Sequence, residues 1–364
     1  MALSIGIVGL PNVGKSTLFN ALNGGGAEAA NYPFCTIDPN VGIVKVPDAR
    51  IDALSKIVNP QAIQHAIVEF VDIAGLVAGA ASGEGLGNKF LANIRECSAI
   101  AHVVRCFEDE NVTHVSNKVD PVSDIETIDT ELMLKDMESL QKAVERTQKQ
   151  SKTGNKDMLT LLELQQRILK GLEDGTPVRR QSLNDDEKLK IRELCLLTIK
   201  PVLYIANVDD ASLPDGNALV DQVREFAAAE QAEVAVVSAQ IEAELSEMDE
   251  ESKSEFLADL GLSEPGLNIV IRTAYKLLNL ITYFTAGVKE VRAWTIHQGD
   301  TAPKAAAVIH NDFEKGFIRA ETITFGDFVS LGGEAKAKEA GKMRLEGKEY
   351  IVKDGDIMHF RFNV

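Results

Sequence analysis

Apolar and polar positions alternate in two rhythms along this chain, and the change of rhythm divides it. Short apolar runs at Ser4–Val8, Val41–Val46, Ile67–Val71 and Ala99–Cys106 read as buried strands. Lys15–Leu22 and Asp48–Val58 carry helical spacing between them. Strands separated by helices predict an α/β fold, a mostly parallel sheet covered on both faces. From about Asp124 to Lys200 the rhythm is helical and highly charged, with Ile125, Ile128, Leu132, Met137, Leu140 and Val144 in one stripe. After a polar break at Thr153-Gly154-Asn155 the stripe resumes with Met158, Leu161, Leu162, Ile168 and Leu172. Glu173–Pro177 turns the chain, and a further helix is expected over Asp185–Ile199. This pattern predicts a helical hairpin or coiled-coil insertion at 124–200. A solvated structural insertion is the plainer reading of it, a partner-docking arm the sharper one.

The α/β rhythm returns at Pro201–Ala206 and Glu233–Val237. An acidic helical stretch follows over Ile241–Glu264, with nine carboxylates against Lys253 alone, and reads as a solvated face. From about Leu278 onward, short strands alternate with turns at Gly316, Gly326, Gly332-Gly333 and Gly355, with one helical patch at Glu334–Ala340. The expected division is a domain over 1–277, containing the insertion, and a small α+β domain over 278–364.

Composition adds a constraint. The 364 residues carry a net charge of −17, and all of it lies in 1–277, because the last segment has 12 basic and 12 acidic residues. Such acidity excludes a body whose whole surface attracts polyanions, but not a local basic face. Lys336, Lys338, Lys342, Arg344 and Lys348 are such a concentration, diluted by Glu339 and Glu346. Cys35, Cys97, Cys106 and Cys195 lack CxxC spacing, which argues against a zinc ribbon or a disulfide framework. Met1–Leu10 lacks a charged start and a cleavage site, and no run approaches the ~20 apolar residues of a membrane span. A cytoplasmic protein that does not enter a membrane is the expectation.

The chemistry begins at Gly9-Leu-Pro-Asn-Val-Gly14-Lys15-Ser16, a phosphate-loop pattern set between a strand and a helix. Gly9 and Gly14 let the backbone curl so that N–H groups, including those around Asn12, Val13 and Thr17, face phosphate oxygens at a helix N-terminus. Lys15 is placed to reach the β- and γ-phosphates, and Ser16 to ligate Mg2+. Asp72-Ile-Ala-Gly75 follows the strand Ile67–Val71. Asp72 would hold the metal through water, and the Gly75 N–H would approach the γ-phosphate. Thr36, in Tyr32-Pro-Phe-Cys-Thr36, is the candidate switch threonine for the metal shell. Gly75–Lys89 reads as a second switch.

A base loop must hang from the end of a buried strand. The literal NKxD at Asn117-Lys118-Val119-Asp120 has no such strand before it and is rejected. Asn207-Val208-Asp209-Asp210 follows Val202–Ala206 directly, and Ser238-Ala239-Gln240 ends the next strand as a base-backing loop. Val208 replaces the lysine that packs along guanine. A buried Asp210 facing adenine would lose its partners, at about 1–3 kcal/mol. From these residues alone, ATP and GTP both stay open.

With these motifs in place, the chain resembles the YchF, or Obg-like ATPase, family of the translation-factor class of P-loop GTPases. The resemblance covers the phosphate loop, Asn31–Thr36, Asp72–Leu76, the helical insertion, the divergent base loop and a TGS-like C-terminal segment from Tyr283 to Asp356. It implies a ubiquitin-like TGS fold for 278–364, with RNA contact, and a Mg2+-dependent ATPase that binds the ribosome through its large subunit. It tips the base toward ATP over a weaker GTP, read by Asn207 and the Val208 backbone. Leu76 stands where many switch GTPases have a water-orienting Gln. The resemblance implies K+ near Asn12 as an arginine-finger substitute, and His114 near the γ-phosphate or its water. A solvated loop histidine is the plainer reading of His114. The competing functions are a GTP-specific switch, a nucleotide-retaining ribosome or RNA scaffold with negligible turnover, and, more distantly, a metabolic kinase.

Overall fold

The computed structural model describes residues 4–24, 40–73, 86–109, 112, 118–152 and 155–363, without the side chains of 86–89. In chain order the elements are β1 (Ser4–Val8), α1 (Lys15–Gly24), β2 (Val41–Lys45), α2 (Ala49–Val58), β3 (Ala62–Gln64), β4 (Ile67–Asp72), α3 (Leu86–Glu96), β5 (Ala99–Arg105), α4 (Pro121–Ser151), α5 (Lys156–Glu173) and α6 (Asp185–Ile191). They continue with β6 (Val202–Asn207), α7 (Ala218–Glu230), β7 (Glu233–Val237), α8 (Ala239–Glu247), α9 (Glu250–Asp259) and α10 (Gly266–Leu277). The last stretch holds β8 (Leu280–Ala286), β9 (Glu290–His297), α11 (Ala302–Ile309), α12 (Asn311–Lys315), β10 (Phe317–Thr324), α13 (Phe325–Leu331), α14 (Glu334–Glu339), β11 (Arg344–Glu346) and β12 (Asp356–Phe362). Two compact units result: Met1–Ile43 with Glu69–Ala274, and Val44–Val68 with Tyr275–Val364.

The first unit is built on a sheet of order β2-β4-β1-β5-β6-β7. β4, β1, β5, β6 and β7 run parallel, with Ile5 opposite Phe70, Ile7 opposite Ala101 and Tyr204 opposite Val234. Every residue of β1, β5 and β6 is buried, as parallel strands covered on both faces require. The β1 and β4 carboxyl ends thereby meet at one edge of the sheet, where the phosphate loop begins.

The helical insertion starts at Pro121, because the Asp120 carboxylate accepts the Ser123 N–H at 3.2 Å and proline suits the first turn. α4 and α5 bury Leu140, Leu164, Ile168 and Leu172 between them, as the stripe predicts. The helix expected over Asp185–Ile199 ends sooner: α6 stops at Ile191, a tight turn covers Arg192–Leu194, and Cys195 takes a left-handed φ of 47°. A buried carboxylate claims the backbone beyond it. Asp136 of α4 accepts the N–H groups of Leu197 and Thr198 at 2.7 and 2.8 Å and the Thr198 hydroxyl at 2.7 Å. The acidic stretch Ile241–Glu264 is likewise two helices, because Asp249 breaks the first and caps α9 through the Ser252 N–H at 2.9 Å.

The insertion is rooted on the sheet through buried charge. Arg179 donates to Asp129 of α4 at 2.5 Å and to Glu230 of α7 at 3.0 and 3.1 Å. The Tyr204 hydroxyl of β6 donates to the same Glu230 at 2.9 Å. Burial works against the guanidinium charge, but Asp129, Tyr204 and Glu230 outweigh it and hold Arg179 protonated. His102 of β5 lies beneath, 2% exposed, with its ring 5.7 Å from Tyr204.

The second unit is a sheet of order β11-β10-β12-β8-β9-β3. β8 and β9 form an antiparallel pair, β12 runs parallel to β8, and β10 runs antiparallel to β12. With α11 packed on one face, this is a ubiquitin-like β-grasp arrangement. Its core joins Tyr283, Ala302, Ala305, Phe317, Met358 and Phe360, and the Tyr283 hydroxyl donates to the Ala305 carbonyl at 2.9 Å. The helices α11, α12 and α13 accompany the one expected near Glu334; each is too short for apolar spacing to display.

Val44–Val68 belongs to this second unit, although it precedes it by two hundred residues of chain. β3 pairs in parallel with β9, Ile63 opposite Val291. Arg50 of α2 donates to Asp48 at 2.9 Å and to Asp354 at 2.6 Å, and its guanidinium lies 5.2 Å from the Phe284 ring centre.

Two measurements test this reading. Asp136→Ala leaves two buried N–H groups unpartnered, so urea unfolding should show a loss of about 2–4 kcal/mol. Burial, reinforced by Arg179, depresses His102 to about 3. Below its ordinary value near 6.5 the unfolded chain therefore binds a proton that the folded chain refuses, and stability falls with falling pH. About 2 kcal/mol should be lost to His102 between pH 7 and 5, a slope that His102→Gln removes in denaturation at the two pH values.

Candidate nucleotide site

The site is assembled at the carboxyl ends of β1, β4 and β6. After Val8 the backbone turns through residues 9–14, with Asn12 at φ 63° and Gly14 at φ 92°. A Cβ on Gly14 would stand 2.2 Å from Asn207 Nδ2, and one on Gly9 would stand 2.9 Å from the Val103 carbonyl oxygen. Both glycines therefore serve close approach, and Gly14 serves left-handed backbone as well. α1 begins at Lys15, with the Leu18 N–H donating to the Gly14 carbonyl at 2.9 Å. Its first turn leaves orphan N–H groups and a positive dipole end at Lys15, Ser16 and Thr17, a favourable place for phosphate. Ser16 and Thr17 are exposed, while Val13 is buried and anchors the loop.

Lys15 and Asp72, 57 residues apart in sequence, form an ion pair, with their side chains 10% and 22% exposed. The expected phosphate-binding ammonium and the expected metal-side carboxylate are thus neighbours. The Ser16 hydroxyl and the Asp72 carboxylate are hard oxygen donors. Among the described residues no group of three or more His, Cys, Asp or Glu side chains gathers to cage a metal. So sparse an oxygen set fits Mg2+, which keeps several waters and takes the rest of its shell from phosphate.

The base loop sits where strand position places it. Asn207 ends β6, 4% exposed, and its side-chain amide has both ends engaged. Nδ2 donates to the Val13 carbonyl at 2.9 Å, and Oδ1 accepts the Ala239 N–H at 2.8 Å. One amide thus ties the phosphate loop to the start of α8. The Val208 N–H donates to the Val237 carbonyl at 2.8 Å, so a base contact from its backbone falls to the carbonyl. Ser238 caps α8, and its hydroxyl donates to Asp210 at 2.8 Å. Asp210 is exposed rather than buried, which removes the penalty that a buried carboxylate facing adenine would carry.

The alternative base motif is otherwise employed: Asp120 caps α4, and Asn117 lies outside the described residues. So do Thr36, Gly75 and His114. Lys15, Asp72, Asn12, Val13, Gly14, Ser16, Thr17, Asn207, Val208 and Ser238 are all described. Two supporting residues were not singled out by motif. Arg105, 2% exposed at the end of β5, donates to the carbonyls of Phe107, Val112 and Asp109 at 3.1, 2.9 and 3.3 Å. Asn217 donates to the Cys106 carbonyl at 2.8 Å and so links β5 to the chain after the base loop. An arginine closing an otherwise apolar strand was the signal available for the first; nothing in the sequence marks the second.

A strand-loop-helix phosphate cradle, a carboxylate from the adjacent parallel strand and a base loop two strands away define a P-loop nucleoside triphosphatase domain of the GTPase type. A family model described as 50S ribosome-binding GTPase matches residues 4–138, and the YchF-GTPase_C model, described as a protein of unknown function, matches 280–363. The chain is 61% identical over 364 residues to the ribosome-binding ATPase YchF of Haemophilus ducreyi, covering all of both chains. It is 56% identical over 366 residues, again end to end, to the protein of the same name from Bacillus subtilis. A solved structure of the Schizosaccharomyces pombe YchF GTPase superposes with a TM-score of 0.89 at 38% identity, over 99% of this chain and 97% of that one. The chain belongs to the YchF family.

The amide of Asn207 carries a direct test. Asn207→Ala deletes two hydrogen bonds between the phosphate loop and α8, worth about 1–3 kcal/mol together. Titration with a fluorescent ATP analogue should show binding weakened about tenfold or more, with secondary structure by circular dichroism retained.

Proposed function

We propose that this chain is a ribosome-associated P-loop ATPase, hydrolysing ATP to ADP and phosphate as a slow molecular switch linked to translation or stress regulation. The observation that carries the reading is the juxtaposition of Lys15 and Asp72 beneath a phosphate loop locked to the base loop by Asn207. The names of the relatives from Haemophilus ducreyi and Bacillus subtilis, each a ribosome-binding ATPase, support it. The working division is a nucleotide-binding domain within 1–277 containing the insertion at 124–200, and a TGS-like domain over 278–364 that Val44–Val68 joins.

In this reading the N–H groups of Asn12 to Thr17 and the Lys15 ammonium hold the β- and γ-phosphates. Ser16, Asp72 and Thr36 would hold Mg2+, which would supply charge neutralisation on the phosphate oxygens. The Gly75 N–H steadies the γ-phosphate, and water attacks in line while positioning and electrostatics lower the barrier. Leu76 can neither donate nor accept, and the family resemblance assigns the orienting of the water to His114; Asn12 would hold a K+, which would supply positive charge beside the transferring group. Asn207, the Val208 carbonyl and Ser238 frame the base. ATP is favoured over GTP because Val208 lacks the amino-terminated stem that packs along guanine, and because Asp210 is held by Ser238. The ribosomal partner is placed on the large subunit, with RNA contact through the TGS-like domain, in the cytoplasm. Of the basic residues there, Lys342 is paired with Asp327 at 3.4 Å and Arg344 with Glu346 at 2.9 Å, which leaves Lys336, Lys338 and Lys348 as the exposed contacts. Among the described residues no helix is long and apolar enough to cross a membrane.

Lys15→Ala should lower ATP turnover by about a hundredfold or more while the thermal unfolding midpoint stays near the parent's. Chelating Mg2+ should do the same to the parent. Parallel ATP and GTP titrations of one sample should show tighter ATP binding; a reversed preference identifies a GTP switch. Parent turnover no faster than Lys15→Ala identifies a scaffold.

A further inference from the structure

The β-grasp sheet of the second unit is incomplete at its centre. β8 and β12 pair in parallel through Ile357 and Phe284, and the Gly355 N–H donates to the Thr282 carbonyl at 2.8 Å. There the ladder stops, although both strands continue. β8 runs on through Thr285 and Ala286, still paired with β9 on its other side, and β12 runs on to Phe362, still paired with β10. Among the described residues no strand pairs with the facing edges beyond Phe284 and Ile357, so the backbone N–H and C=O groups of Ala286 on one side and Phe360 and Phe362 on the other can take up an added strand.

A cavity of about 560 Å3 opens where the ladder ends, within the ~300–1,000 Å3 range of ligand sites. Thr285 to Gly287 line one side of it, and Met358 to Phe360 with Phe362 line the other. Both faces of β12 contribute, so the cavity passes around the strand edge rather than lying on one face. The two faces differ in chemistry. Met358 and Phe360 belong to the core cluster beside Ile309 and Phe313, so that face is apolar. His359 stands opposite Glu321 on β10, and on that side Ile323 and Met343 meet the carboxylates of Glu321 and Glu334. Arg361 answers Glu321 at 3.0 Å; Glu334 is exposed.

We propose that this cleft binds an extended peptide by strand addition between β8 and β12. Alternate side chains of a strand point to opposite faces, and Glu321 is already held by Arg361 and Arg319, so the matching peptide alternates apolar residues, toward Ile309 and Phe313, with basic residues, toward the exposed Glu334. About four or five residues, at ~3.3 Å each, span the free edge of β12.

The test uses the full chain and a fluorescein-labelled peptide of alternating valine and lysine, followed by anisotropy and by amide hydrogen exchange. Saturable binding is expected, with slowed exchange at Ala286, Phe360 and Phe362. The same peptide with N-methylated backbone amides should bind at least tenfold more weakly. Ala286→Trp, which fills the cleft, should weaken binding at least tenfold. Glu334→Lys, an exposed change that spares the core, should weaken it about fivefold and provides the test if Ala286→Trp does not fold. Absence of saturable binding, equal binding of the N-methylated peptide, or slowed exchange elsewhere overturns the proposal. So does slowed exchange of the same amides by poly(U) RNA but not by the peptide, which assigns the cleft to nucleic acid.

Discussion

The phosphate loop and the base loop belong to different strands, and one buried amide sets the distance between them. Asn207 bonds back to Val13 and forward to Ala239, and it rests so closely on Gly14 that no side chain fits there. Both loops, and α1 and α8 that begin from them, are therefore held in one frame before any nucleotide arrives. Preorganisation of this kind lowers the cost of ordering the site on binding. The same frame delivers the β4 carboxylate to the phosphate-loop lysine. A change in either loop should therefore be felt by the other through a single side chain.

Buried charge plays the corresponding part under the helical insertion. Asp136 satisfies backbone that leaves α6, and Arg179 joins α4 and α7 while Glu230 also receives Tyr204. Removing one member of such a set strands its partners in a low dielectric, which costs more than the contact is worth when intact. These groups give the insertion a definite seat on the parallel sheet, whereas its apolar stripe gives it only cohesion with itself. Tyr204 lies on β6, the strand that ends in Asn207, and His102 on its neighbour β5, so this seat and the base loop share one pair of strands.

Much of this was legible in the residues. β1, β4, β5, β6 and β7 fall where the apolar runs are, since strands buried on both faces must be apolar throughout. The phosphate loop, Asp72 and the preference for Asn207 over Asn117 follow from motif and strand position. Less legible were the elements decided by distant partners. β3 is three residues long and exists because β9 offers an edge; Ala62–Gln64 has no strand pattern of its own. The helix after Asp185 stops at Ile191, and beyond the turn at Cys195 Asp136, far back in the chain, takes the N–H groups of Leu197 and Thr198. The break at Asp249 was readable in principle, since an aspartate before Glu250-Glu251-Ser252 is a cap signal, but the run of acidic residues masks it.

The sequence by itself determined which chemistry is present: a lysine and serine after a glycine-rich turn, a carboxylate after a strand, and a base loop without its lysine. Local spacing suffices for this, because phosphate loops and caps are built from neighbours in the chain. Tertiary structure alone decided which groups are committed and which stand open. Asn207 is a strut, Ser238 and Asp210 are partners, and Val44–Val68 joins a unit that resumes at Tyr275. The physical reason is that a hydrogen-bond partner or an unpaired strand edge is a property of segments far apart in sequence, and only folding brings them within three ångströms or so of each other.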